Sequence, residues 1–230
     1  MPRILVPIEV ALGETRVSAT PETVKKLVSI GYKVSIEKGA GVSAGFSDEN
    51  YLKAGADCVS EANGDSLKVF DLILCVNSPS YDFLSKLKNG TLLIGLLGPY
   101  GNQNLANSLQ VGKLSALSLE LLPRISRAQS ADALSSQANI AGYKAVLLGA
   151  SALDRYFPML MTAAGTVQPA KVVVLGAGVA GLQAIATAKR LGAGVYVSDI
   201  REAVKEQVES LGARFIELPE VAQESSESGG

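Results

Sequence analysis

A chain of 230 residues with 47% apolar and 19% charged side chains can bury one large or two small cores, which excludes an extensively disordered polypeptide. A formal charge of −1 excludes a polybasic surface for nucleic acid or anionic lipid. No histidine is present, so the commonest general acid–base and the commonest metal ligand are both missing.

The opening MPRILVPIE is too short and wrongly flanked for a signal peptide. No apolar run reaches the roughly 18 residues of a membrane span. The best candidate, residues 145–167, is interrupted by Asp154, Arg155 and Pro158. Residues 3–8 form a first strand-like run. Thr20 followed by Pro21 predicts a helix start, and Gly31 lies where that helix should stop. Residues 32–37 read as the next strand, and Ser47 as the cap of a helix running to Ala54.

The run DLILCV at 71–76 predicts a buried strand, and Ser80 opens a helix that Gly90 ends. A strand at 91–97, a helix at 104–111 and a strand at 114–119 follow. Such alternation implies parallel strands with helices on both faces. Cys58 and Cys75 have no metal-ligand spacing and are expected to be small buried hydrophobes in a reducing compartment.

Residues 132–153 read as one long helix with Leu134, Ala138, Ala141, Ala145 and Leu148 on a common face. A domain-crossing helix and an ordinary core helix are both compatible with that pattern. Beyond Pro169 the alternation resumes, with strands at 171–175, 195–198 and 214–218 and helices at 181–191 and 202–211. This is one βαβαβ half of a dinucleotide fold. The periodicity then ends in PEVAQESSESGG, residues 219–230, and the expectation is a fragment stopping inside its second domain.

The chemistry is concentrated in VVVLGAGVAGLQAIATAKRLGAGVYVSD, residues 172–199. Gly176 is expected to make the tight turn, Gly178 to admit a pyrophosphate, and Gly181 to let the helix pack closely. Ala177, Val179 and Ala180 complete a loop whose backbone N–H groups meet the phosphates at a helix N-terminus. Asp199 follows at roughly the twenty residues where an acid takes the adenosine ribose. A carboxylate there favours NAD(H) over NADP(H). Ile200 and Arg201 extend the candidate site; Arg201 reads either as a solvated cation at a helix start or as a partner for an extra phosphate.

PRISRAQSADALSSQANIAGYKAV, residues 123–146, together with the glycine segment, resembles the NAD(H)-binding domain of the proton-translocating NAD(P) transhydrogenases. GETRVSATPETVKKL, residues 13–27, is similar to the shared opening of the alanine dehydrogenase/transhydrogenase superfamily. The resemblance covers essentially the whole chain. It implies an α/β fold of two Rossmann-like doubly wound parallel-sheet domains joined by a long helix, the second truncated. The expected division is residues 1–135, a crossing helix at 136–164, and a partial NAD(H) domain at 165–230, with the cofactor in the cleft between domains.

The resemblance also implies roles. Arg124, Gln129 and Asp132 match the loop that sits over the nicotinamide in transhydrogenases, and Ser135 lies one helical turn further on as a further candidate. From the residues alone, a capped helix start is the better reading of the same segment, and the resemblance reverses that balance. NADP(H) is implied on a separate partner domain, with membrane-spanning subunits, homodimerisation, and a peripheral position on the cytoplasmic side of a membrane. Alanine dehydrogenases use a lysine and a histidine in the first domain. At the matching places this chain has Asn77-Ser78-Pro79 and Gly98-Pro99-Tyr100. Arg16 is retained and is expected to be structural, paired with Glu14 or Glu9. The rival readings are a soluble amino-acid dehydrogenase and a non-catalytic NAD-binding subunit.

Overall fold

A computed structural model describes residues 1–60 and 64–217 of the chain. These fall into two compact units, Met1–Asp132 and Ala133–Gly230.

The first unit begins with β1 (Arg3–Val6), whose Ile4, Leu5 and Val6 are all buried. An apolar run buried on both faces is the signature of a central parallel strand. Helix α1 (Pro21–Ser29) starts where expected: Thr20 accepts the Thr23 amide and proline occupies the first turn. Strand β2 (Lys33–Glu37), helix α2 (Asp48–Lys53) and strand β3 (Asp57–Val59) follow. Ser47 precedes α2, and its amide donates back to Asn50 Oδ1. Strand β3 was not legible in the sequence, because three residues are too few to show alternation.

Strand β4 (Leu72–Asn77), helix α3 (Tyr81–Ser85), strand β5 (Leu92–Leu96), helix α4 (Gln103–Val111) and strand β6 (Ser115–Ser118) complete the unit. Helix α3 is shorter than the stretch to Gly90 predicts. Turns after Ser85 sink Leu87 into the core and bring Lys88 onto Asp71.

The six strands are parallel in the order β3-β2-β1-β4-β5-β6, with β1 between β2 and β4. This is the doubly wound order, reversing between β1 and β4. Two cores confirm helices on both faces. Ile4 and Val6 pack with Val24, Ile36 and Tyr51, whereas Leu5, between them in sequence, packs with Ile73, Leu84, Leu93 and Leu105. Cys75 is buried and Cys58 half-buried, both as free thiols. Burial pushes the Cys75 thiol up to about 12, which makes it inert.

The second unit opens with α5 (Ala133–Ala152). The crossing helix expected over residues 136–164 is corrected to the bounds that the apolar pattern at 132–153 predicts. It ends at Ala152, and the segment that follows contains Pro158 and then a hairpin of β7 (Leu160–Thr162) and β8 (Gly165–Val167). Proline supplies no amide for a continuing helix, and three-residue strands leave no readable period. Strand β9 (Lys171–Leu175), helix α6 (Val179–Arg190), strand β10 (Gly194–Ser198), helix α7 (Lys205–Ser210) and strand β11 (Arg214–Phe215) form the predicted βαβαβ unit. The first turn of the predicted helix 202–211 is a 3-10 turn. The predicted end of the last strand at Leu218, and the segment 219–230, lie outside the described residues.

The second sheet is parallel in the order β11-β10-β9. Its core joins Val195 and Val197 to Ile185, Val204 and Val208. The opposite face is bare at β9, where Val173 is 60% and Leu175 80% exposed. Gly142 of α5 brings that helix against α6: a Cβ there would lie 2.1 Å from the Ala180 carbonyl oxygen.

Candidate functional site

Strand β9 leaves the sheet at Gly176, whose φ of +92° lies in the left-handed region that favours glycine. Its amide still donates to the Ser198 carbonyl, so the loop starts in register with β10. Gly181 is forced by a close approach, since a Cβ would fall 1.9 Å from the Gly176 carbonyl oxygen. The helix is thus clamped against the loop that precedes it. Gly178 is different. Its φ is −77°, and a Cβ would meet nothing within 4 Å. The chain's own packing gives no reason for glycine at 178, whereas a ligand approaching the backbone from outside does.

Helix α6 begins directly after Gly178, and no side chain caps it. Its first-turn amides have no partner within the helix, and they lie at the positive end of its macrodipole. Lys189 and Arg190 occupy the last turn, where cations are favoured.

Asp199 follows β10. Its Oδ2 accepts the Ala177 amide at 2.7 Å, which ties the acid to the middle of the glycine loop. Arg201 supplies the other donors: its amide and Nε reach Oδ1 at 2.8 and 3.0 Å, and its Nη2 reaches Oδ2 at 2.9 Å. The Arg201 guanidinium, then the amides of Ala177 and Arg201, hold the Asp199 carboxyl far below the usual carboxylate range. The reading of Arg201 as a merely solvated cation is corrected by this fork: the side chain is 57% exposed, yet it is bound to the acid.

Ile200, between them, is 96% exposed. Ser198, the last residue of β10, buries a hydroxyl that has no hydrogen-bond partner among the described residues. Such orphans are rare in folded proteins and mark places where a water or ligand is accommodated. The loop, the acid and the uncapped helix start therefore fit a phosphate-bearing dinucleotide with a ribose diol.

The other expected residues are distributed between the units. Arg124 and Gln129 are exposed, in the segment after Pro123 that forms a 3-10 turn over Ser126–Ala131. The Asp132 amide donates to the Gln129 carbonyl, and Asp132 immediately precedes α5. Those three belong to the first unit, and Ser135, half-buried in the first turn of α5, belongs to the second.

Where the first sheet reverses, between the carboxyl ends of β1 and β4, lies a cavity of about 480 Å³ lined in part by Glu9, Glu37, Asn77 and Phe83. Its polar groups are engaged with one another. Glu9 accepts the amides of Val76 and Asn77, and Asn77 Nδ2 donates to Glu14 at 2.8 Å. Arg16 pairs with Glu14 through two bonds of 2.7 and 2.6 Å, as the structural reading of Arg16 expects. The sequence offered no signal for the Asn77 bridge, which joins residues 63 apart. Among the described residues no group of three or more acidic or cysteine side chains can hold a metal ion.

Comparison with known proteins agrees with this geometry. Residues 5–141 match the alanine dehydrogenase/PNT N-terminal domain and residues 145–228 the alanine dehydrogenase/PNT C-terminal domain. The chain is 49% identical to an NAD(P) transhydrogenase subunit alpha polypeptide of Rhodospirillum rubrum, over 99% of this chain and 60% of that protein. It superimposes on the crystal structure of a transhydrogenase from Sinorhizobium meliloti with a TM-score of 0.89 and 48% identity, covering 95% of this chain and 62% of the other. Alanine dehydrogenase of Bacillus subtilis is more distant, at 30% identity over 85% of this chain and 51% of that protein. The chain thus spans about 60% of the length of these two transhydrogenase relatives, and 41% of the alpha subunit of Haemophilus influenzae. With both family domains matched in order, and with a doubly wound sheet and a parallel βαβαβ sheet to accompany them, this chain belongs to the alanine dehydrogenase/PNT family.

Proposed function

We propose that this chain is the NAD(H)-binding component of an NAD(P) transhydrogenase. The observation that carries the reading is the loop at 176–181. Its one glycine without an internal cause, Gly178, faces open space beside an uncapped helix start and an acid tied to Ala177. In this reading the amides from Gly178 to Gly181 hold the pyrophosphate, Asp199 takes the adenosine ribose, and the bare Ile200 side chain covers the adenine.

The bound nicotinamide supplies the hydride chemistry. With NADH held here, that chemistry would be hydride transfer to NADP⁺ on a partner domain, and no group of this chain would have to move a proton. The chain's task is to orient one ring and exclude water, a task that a protein without histidine can perform. We assign the nicotinamide end to Arg124, Gln129, Asp132 and Ser135. Arg124 can hold a phosphate, Gln129 can both donate and accept, and Ser135 can donate to the carboxamide.

The dehydrogenase alternative is less well supported. It needs proton transfers, and Asn77 stands where the resemblance would put the lysine, bonded to Glu9 and Glu14. No helix among the described residues is long and apolar enough to cross a membrane. We assign proton coupling to membrane-spanning segments in other chains or in further sequence, which would place this chain peripherally on the cytoplasmic side. A second copy of the chain would cover Ile140, Tyr143 and Leu148 of α5 and Met161 of the hairpin, all exposed here.

The test is NADH titration followed by hydride exchange on mixing with an NADP(H)-binding partner domain. Asp132→Asn is expected to slow exchange far more than it weakens NADH binding. Equal loss of both, or of neither, contradicts its place at the ring. Turnover of pyruvate and ammonia with NADH would transfer the assignment to the dehydrogenases.

A further inference from the structure

We infer that Arg201 is a competitor built into the adenosine end of the site: its guanidinium holds the two positions on Asp199 that a ribose diol requires, and NADH binds by displacing it. The inference rests on the reading of Asp199 as the ribose acid.

The geometry distinguishes fixed donors from movable ones. The amides of Ala177 and Arg201 bind one carboxylate oxygen each and belong to the backbone. The remaining acceptor position on each oxygen is filled by Arg201, Nε on Oδ1 and Nη2 on Oδ2. The Asp199 side chain is only 4% exposed, so no further face is offered to a ligand. The guanidinium sits on a long side chain that is 57% exposed and can rotate into solvent.

A guanidinium fork presents two parallel N–H donors to a carboxylate. The 2′- and 3′-hydroxyls of ribose, on adjacent carbons, present two O–H donors in a similar fork. Binding then exchanges two N–H···O bonds for two O–H···O bonds and breaks an ion pair, while both amides remain in place. The displaced cation stays close to the ribose. A 2′-phosphate would find Arg201 there and Asp199 against it, whereas a free diol needs Asp199 alone. Arg201 therefore weakens NADH binding and partly offsets the rejection of NADPH.

Dissociation constants for NADH and NADPH are to be measured on the full-length protein and on Arg201→Ala, Arg201→Gln, Asp199→Ala and the Asp199→Ala/Arg201→Ala double variant. Loss of an ion pair whose cation faces solvent predicts about threefold tighter NADH binding by Arg201→Ala and Arg201→Gln. NADPH binding should weaken in the same two variants. The NADH gain should shrink at high salt, because screening weakens the pair in the wild type. In the Asp199→Ala background, removal of Arg201 should change nothing for NADH. Unchanged or weaker NADH binding by both Arg201 variants overturns the inference. If Asp199→Ala binds NADH as well as the wild type, the ribose-acid reading itself fails.

Discussion

Two glycines three residues apart should respond oppositely to a methyl group. At Gly181 an added Cβ would lie 1.9 Å from the Gly176 carbonyl oxygen and 2.9 Å from its carbon. Ordinary contact between such atoms is about 3.5 Å, so helix and loop must part by about 1.5 Å. Overpacking of this kind costs about 1–3 kcal/mol. In a protein of this size that lowers the melting temperature by about 2–4 °C for each kcal/mol. At Gly178 the same methyl meets nothing within 4 Å, and φ is −77°. Alanine in a conformation it accepts stabilises by about 0.4–1 kcal/mol, through the unfolded chain.

Gly178→Ala should therefore melt at or slightly above the wild type while losing about tenfold or more in NADH affinity, about 1.4 kcal/mol. Gly178→Val should abolish binding. Gly181→Ala should lose both stability and binding. Thermal melts and fluorescence titrations with NADH on the three variants decide the matter. If Gly178→Ala melts as low as Gly181→Ala, or binds NADH as the wild type does, the outside approach to Gly178 is wrong.

Other perturbations test the scaffold. Gly142→Ala places a Cβ 2.1 Å from the Ala180 carbonyl oxygen, so α5 should be pushed from the first turn of α6, lowering both melting temperature and NADH affinity. Tyr51→Phe removes the hydroxyl that donates to the buried Ala19 carbonyl at 2.9 Å and should cost about 1–2 kcal/mol in urea unfolding. The Arg16 side chain, bonded to Glu14, leads the interactions that hold the Glu14 carboxyl at about 2 instead of 4.5. A depressed folded value means that the unfolded chain takes up the proton first. The stabilisation is complete above pH 4.5 and is lost as pH falls towards 2. Unfolding midpoints across that range should fall less steeply in Glu14→Gln.

Much of the molecule was legible because its signals are local. Thr20-Pro21, the apolar run at β1 and the turn at Gly176 act over a few residues, and each appears where the sequence puts it. Elements too short for a period were invisible, namely β3 and the hairpin of β7 and β8. The apolar pattern placed the long helix at 132–153, within a residue of α5 at either end, whereas the domain division that carried it to 164 ran past Pro158.

By itself the sequence determined the alternation of strands and helices, the glycine loop with its following acid, and the absence of histidine chemistry. These depend on residue type and short spacing. Tertiary structure alone decided the strand order β3-β2-β1-β4-β5-β6, the Asn77 bridge between Glu9 and Glu14, and the closure of Asp199 by Ala177 and Arg201. Strand order and the Asn77 and Ala177 bonds are set when residues distant in the chain meet. A hydrogen bond between positions 22 apart, as from Ala177 to Asp199, leaves no periodic trace in the sequence, because its geometry exists only once the sheet has formed.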